Sequence, residues 1–256
     1  MFEIGDYVSR NSYNNDTIFK IMDIKEDIYI LKGVDIRLFA DAYKDDLVKC
    51  EYSENDEEFT DNLIIRDNMD RSEYFYLPGK ILHIDGDKDY LNRCLQFYNK
   101  VNVFAQGEYV NEKDLPNVVS KLLKKYNPDI LVITGHDSIS KDSDVNDINN
   151  YKNSKNFIKA VFQARNYEKS HDKLVIIAGA CQSNYEALIK AGANFASSPK
   201  RINIHALDPA IIAINLAVTE KNKEINLIEL LKKTKYGKDG IGGLKSNGMM
   251  YVGYPR

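Results

Sequence analysis

Cysteine is scarce in this chain: three residues in 256, at Cys50, Cys94 and Cys181. The number is odd, the spacing is wide and no CxxC pair occurs. A disulfide framework and a zinc site are therefore both unsupported, and a reducing compartment fits better. No apolar run approaches the ~20 residues needed to span a bilayer. The N-terminus has no signal-peptide pattern, so the expected location is the cytoplasm. Charge of one sign is not in excess either: the net charge is −3, which leaves no electrostatic footprint for nucleic acid. Ser197-Ser-Pro-Lys-Arg201 lacks the glycine–lysine pattern of a phosphate loop. Asp85-Gly-Asp87 lacks the remaining ligands of a calcium loop. No internal repeat is visible, and no cofactor is expected.

What is present is a real core, with 43% apolar residues, in a chain long enough for one large domain and a small module. Residues 1–50 carry short strand-like pieces at Tyr7–Val8, Ile18–Ile21, Ile28–Leu31 and Leu38–Phe39, separated by polar turns. That rhythm predicts a small antiparallel β-barrel of the SH3-like kind. Residues 51–76 open on an acidic run and read as a linker. From residue 77 to 256 strands and helices alternate. Strands are expected at Lys80–Ile84, Val101–Ala105, Ile130–Thr134 and Leu174–Ala178. Shorter ones are expected at Asn194–Ala196 and Ile202–His205. Helices are expected near 88–99, 114–126, 155–168, 184–191 and 209–219. This alternation predicts an α/β domain, a parallel sheet flanked by helices with ligands at the strands' carboxyl ends. The glycine-rich tail beyond Tyr236 reads as irregular loops.

Two of these strand ends carry chemistry. Leu174–Ala178 breaks at Gly179 and delivers Cys181, and Ser183-Asn-Tyr-Glu186 fits a capping box that starts a helix. The thiol then lies between a strand end and a helix start, where the thiolate is favoured. Ile130–Thr134 ends in Gly135-His136-Asp137 and offers a base. Thiol and imidazole at neighbouring strand ends are the minimal equipment for thiol acyl transfer. The blander readings are assigned elsewhere. Cys50 and Cys94 are read as core residues, His83 as a packed strand residue and His171 as solvated, while His205 is a rival base. Asp85 and Asp87, at the first strand's end, suit either a turn or cap or a substrate-binding role. Asp208, just past His205, is open to the same two readings. The segment 138–154 beside His136 is either a mobile flap or a solvated insertion.

These motifs carry a resemblance. A histidine after the third strand and a cysteine after the fourth is similar to the caspase-type cysteine peptidases. Caspases place the histidine roughly 50 residues before the cysteine, and here His136 precedes Cys181 by 45. More closely, the chain resembles the YabG family of sporulation-specific proteases. The carrying segments are Gly79–Asp87, Asp129–Asp137, Ala178–Ser183 and Ala191–Pro199.

The resemblance implies a caspase-like fold and a cysteine endopeptidase with a Cys181–His136 dyad. It implies a specificity pocket acid among Asp85, Asp87 and Asp208, and cleavage after arginine. It also implies protein substrates in the spore coat or germination apparatus, reached from the cytoplasm of the sporulating cell or at the coat. Caspase-type enzymes follow the histidine with glycine, whose N–H serves the oxyanion. Here Asp137 follows and Gly135 precedes, so the site backbone is assigned to Gly135 and Cys181. Two other functions stay open: a non-catalytic receiver-like α/β binding module, and a thiol-dependent amidase acting on small molecules. The oligomeric state is open.

Overall fold

The computed structural model describes residues 2–53, 56, 59 and 72–255. The chain divides into two compact units, residues 1–56 and residues 57–256. The acidic stretch expected as a linker lies largely outside the described residues.

The first unit is built on five strands: β1 Tyr7–Arg10, β2 Phe19–Lys25, β3 Ile28–Gly33, β4 Phe39–Tyr43 and β5 Leu47–Lys49. They pair antiparallel in the order β4-β3-β2-β1-β5. Alternation along β2 sends Phe19 and Ile21 inward, where they meet Val8 and Leu31, all at most 1% exposed. A register shift between Ile21 and Asp23 lets β2 bend around this core. Strands β4 and β5 stand at the two ends of the order.

The second unit is a layered α/β structure. Its sheet runs β12-β11-β10-β9-β7-β8. The strands are β7 Ile81–Asp85, β8 Ala105–Tyr109, β9 Ile130–Thr134, β10 Val175–Ala178, β11 Phe195–Ser197 and β12 Ile241–Gly243. From residue 72 onward its described helices are α1 Lys88–Lys100, α2 Leu115–Tyr126, α3 Ser154–Tyr167, α4 Tyr185–Lys190, α5 Asp208–Val218, α6 Leu227–Lys232 and α7 Gly237–Gly240. Residues 81–85, 130–134 and 175–178 are buried throughout, because both faces are covered and apolar residues fill them apart from His83, Asp85 and Thr134. One core layer gathers Phe97 of α1 and Ile211 and Ile214 of α5 against Ile81, Val132 and Ile177. The other gathers Leu115, Val119 and Leu123 of α2 and Phe157 and Val161 of α3 against Leu82, Leu131 and Ile176.

The strand order reverses around β7. The connection through α1 leads to β8 on one side, and that through α2 leads to β9 on the other. With right-handed crossovers this reversal places α1 and α2 on opposite faces and opens a crevice beyond the carboxyl ends of β7 and β9.

Several expectations are corrected. The sheet is not wholly parallel, because β12 joins antiparallel to β11. The tail's glycines serve this edge: a Cβ on Gly243 would come within 2.4 Å of the Phe195 ring. A second tail strand, β13 (Tyr251–Gly253), pairs with β6 (Phe75–Leu77), so the expected linker ends in a strand. Strand β8 starts at Ala105 because Val101 closes α1 and Asn102 turns with a φ of 54°. Residues 202–205 form no strand, and α6 was not expected.

Phe157→Ala, in the fully buried layer, should cost about 3–5 kcal/mol in chemical denaturation. Phe162→Ala on the exposed face of the same helix should cost under about 0.5 kcal/mol.

Candidate active site

Parallel pairing fixes where the two key loops emerge. Ile133 of β9 is in register with Ala178 of β10, and the Gly179 N–H donates to the Ile133 carbonyl at 3.0 Å. His136 and Cys181 each follow their paired residue by the same number of positions. Adjacent strands therefore lead into the loops that carry imidazole and thiol, at the carboxyl end of the sheet.

His136 is held by carboxylates from two other strand ends. Its Nε2 lies 2.8 Å from Asp87 Oδ2, the ring N–H donating to the carboxylate. Asp87 Oδ1 accepts the N–H groups of Asp89 (3.0 Å) and Tyr90 (3.3 Å), so the same side chain caps α1. The His136 main-chain N–H donates to Glu112 Oε1 at 2.7 Å. Glu112 follows β8 and is buried. The ring of Tyr90 flanks the imidazole at 5.8 Å between centroids.

Cys181 lies under the segment that follows β11. Its sulfur accepts the Ile204 N–H at 3.3 Å, and the residue is only 1% exposed. Gln182 next to it adopts a φ of 57°. Its N–H donates to Ser198 Oγ and to the Ile202 carbonyl, both at 3.1 Å. The covering segment is anchored by Arg201, which bonds the Tyr151 hydroxyl at 2.7 Å and pairs with Glu186. The segment 138–154 is laced to itself and to the cysteine loop. Ser140 N–H donates to the Asn150 carbonyl at 3.0 Å, and Ile139 N–H donates to Gln182 Oε1 at 3.2 Å.

Asp137 ties the two loops together. Its buried carboxylate accepts the N–H groups of Ser138 (2.9 Å) and Asn153 (2.7 Å) on Oδ1. Oδ2 accepts the hydroxyls of Ser183 (2.9 Å) and Ser154. Burial pushes this carboxyl above its ordinary value, and the four donors oppose that shift only in part. Ser183 is thereby diverted from the capping role expected of it. Its hydroxyl accepts the Ala180 N–H at 2.9 Å, and Asn184 caps α4 instead, accepting from Ala187 at 3.1 Å.

The other acids expected at the site are tightly engaged. Asp85 is fully buried: Oδ1 accepts the Asp87 N–H at 2.9 Å and Oδ2 the Thr134 hydroxyl at 2.8 Å. His83 lies in the same network, between the Tyr98 hydroxyl (3.0 Å) and Thr134 Oγ1 (3.1 Å). Since Thr134 donates onward to Asp85, His83 donates to it through Nε2. Asp208 accepts the N–H groups of His205 (3.1 Å) and Lys235 (2.9 Å), and burial drives its carboxyl upward. His205, the rival base, is buried and accepts the Leu207 N–H on Nδ1 at 3.2 Å. Cys94 is buried in the core, its sulfur 3.4 Å from the Ala206 carbonyl, while Cys50 is half-buried. Asp137 and Glu112 had no role in the sequence reading. The signals for them were Asp137's position directly after the histidine and the glycines Gly86 and Gly135 at two strand ends. Among the described residues no group of three or more His, Cys, Asp or Glu could hold a metal ion, and no helix is long and apolar enough to cross a membrane.

The sheet's carboxyl end carries a carboxylate-bound histidine after β9 and a cysteine after β10, and the chain's relatives define its class as a peptidase. The family model described as YabG peptidase U57 matches residues 3–64 and 55–255. The chain belongs to the YabG peptidase family. It is 40% identical to the sporulation-specific protease YabG of Bacillus subtilis (strain 168), over 99% of this chain and 98% of that protein. No solved structure matches.

Asp137→Ala should strand two N–H groups and two hydroxyls at once. We expect a loss of about 3 kcal/mol or more in denaturant unfolding. It should also raise protease sensitivity within 138–154. Parental stability would show that the loops are held by other contacts.

Proposed function

We propose that this peptidase is a cysteine endopeptidase acting through Cys181 and His136. The observation that supports it is the in-register delivery of both side chains from adjacent strands, with Asp87 on the imidazole. Asp87 fixes the ring's orientation and tautomer and stabilises the imidazolium, as the acid of a triad does. With Nε2 on Asp87, proton exchange with the thiol falls to Nδ1. The thiolate attacks the peptide carbonyl, His136 protonates the departing amine, and water resolves the acyl-enzyme with His136 as base.

The oxyanion is assigned to backbone N–H groups at the two strand ends, Gly135 and Cys181. Asp137 adds a third candidate, because its side chain is turned into the protein and its N–H meets no acceptor among the described residues. Cys181 must be uncovered for attack, which requires the segment around Ile204 to move.

The fold reading that accompanies this is a caspase-like domain, with the first unit as a small barrel that docks substrates or restrains the enzyme. The chain's function in this reading is the processing of spore coat or germination proteins in the sporulating cell. The name of the Bacillus relative supports the sporulation role, and the resemblance suggests the substrate class. The preferred residue before the scissile bond is arginine. Carboxylates concentrate at this end of the sheet, and a planar guanidinium engages a carboxylate with two parallel bonds. Of Asp85, Asp87 and Asp208, only Asp87 retains exposure, at 7%.

Cleavage of a peptide library tests this reading against an amidase and a binding module. Cys181→Ala and His136→Ala should each lower kcat/KM by about 10⁴-fold or more, since nucleophile and base act as a unit. Asp87→Asn should cost about 10²-fold or more by misorienting the ring. Retained cleavage in Cys181→Ala would end the reading. Peptides with Arg, Lys, Asp or Leu before the scissile bond should rank arginine first, and preference for Asp or Leu would refute an acidic pocket. The carboxylate that meets the guanidinium is the one among Asp85, Asp87 and Asp208 whose replacement by Asn lowers the arginine-over-leucine ratio of kcat/KM and not kcat/KM for both substrates alike.

A further inference from the structure

The backbone of His136 is fixed by a residue that lies outside the roles assigned so far. We propose that Glu112 is a positioning residue for the histidine: its side chain, seated in a slot between two glycines, holds the His136 main chain through a hydrogen-bond acceptor. The inference rests on the reading of His136 as the base.

Three observations converge on it. Glu112 is 7% exposed, deep burial for a carboxylate that has no arginine or lysine paired with it among the described residues. Such burial is costly unless the oxygens are used. One of them is used, receiving the His136 N–H at 2.7 Å, within the range of a charge-assisted bond.

The second observation is the slot itself. A Cβ built on Gly86 would lie 2.2 Å from Glu112 Oε1, and one on Gly135 would lie 2.5 Å from the same atom. Each glycine directly precedes a member of the proposed site, Asp87 and His136 respectively. The two loops thus close on the carboxylate from both sides, and a side chain at either glycine would push it from its seat.

The third is the origin of the chain segments. The Val110 N–H donates to the Asp85 carbonyl at 3.0 Å, which extends the β7–β8 pairing to within two residues of Glu112. Gly86 N–H donates to the Thr134 carbonyl at 3.0 Å. Strand β8 therefore supplies a rigid stem for Glu112, while β7 and β9 supply the walls. The imidazole ring is gripped by Asp87 and its main chain by Glu112, so ring and backbone are fixed by different strands. A base held this way keeps its geometry through both halves of the reaction. A shift of about 1 Å at such a residue can cost about 10²-fold in rate.

The proposal is tested on the full chain with an arginyl peptide substrate. Glu112→Ala should lower kcat about 10–100-fold with KM within about twofold. Glu112→Gln keeps a carbonyl oxygen at the same reach, so it should restore kcat to within about threefold of the parent. Gly86→Ala should lower kcat as Glu112→Ala does, by displacing the side chain. The double variant should be no worse than either single, because the added methyl then occupies vacated space. Three results would overturn the proposal: parental kcat in Glu112→Ala, a Glu112→Gln variant as impaired as Glu112→Ala, or losses that multiply in the double variant. If Glu112→Ala does not fold, folded Gly86→Ala with parental kcat overturns it equally. His136→Ala serves as the separate control. Retained peptidase activity there would remove the base reading and this inference together. Loss there with parental Glu112→Ala would remove only the inference.

Discussion

The parallel pairing of β9 with β10 is the constraint on which the rest of the site depends. A strand has a side-chain period of two, so a slip of one residue would turn Cys181 or His136 to the opposite face. The pairing of Ile133 with Ala178 is enforced by fully buried runs on both strands, packed on both faces by helices. No polar contact at the strand ends could hold that register by itself. The core fixes it, and the loops inherit it. Chemistry at the crevice is thus a consequence of apolar burial several residues away.

Beyond the strand ends, carboxylates take over from apolar packing. Asp85, Asp87, Glu112, Asp137 and Asp208 are all buried, and each accepts at least one main-chain N–H. Loops at the end of a sheet leave N–H groups without strand partners, and a buried N–H needs an acceptor. Short acidic side chains meet that need without length to spare. Burial pushes two of these carboxyls, Asp137 and Asp208, above their ordinary values.

Much of this was legible in the sequence because it is written in local patterns. The apolar runs at 130–133 and 174–178, and the segment 81–84 broken only by His83, give the central strands. The stripe of Leu115, Val119 and Leu123 gives α2. His136 and Cys181 stand out because each lies within three residues of such a run's end. The missed features depend on contacts distant in sequence. Strand β12 looks like loop because its glycines answer to Phe195 and Tyr185, not to a local turn. Ser183 looks like a cap because Ser-x-x-Glu fits one, yet Asp137 claims its hydroxyl across 46 positions. Glu112 has no local signature at all; its only trace is the absence of side chains at Gly86 and Gly135. Asp87 was legible as a residue worth naming, but its two oxygens divide between the α1 cap and His136, which spacing cannot convey.

The way Asp137 gathers its donors has a consequence for how this fold can change. Ser138 and Asn153 meet on the same oxygen, so the stretch 139–152 leaves and returns at a single point. Its contents do not set the distance between its ends. Lengthening such a closed stretch adds only a slowly growing chain-entropy cost, about 0.6 kcal/mol for each doubling. Residues can be inserted or removed there while His136 and the start of α3 stay where they are. The stretch therefore has an exposed tip, near 141–144, whose length is loosely constrained, while Ile139 and Tyr151 stay tied to Gln182 and Arg201 and the clamp below holds its ends. Relatives could differ in what they admit to the crevice without rebuilding the strand ends that hold it open.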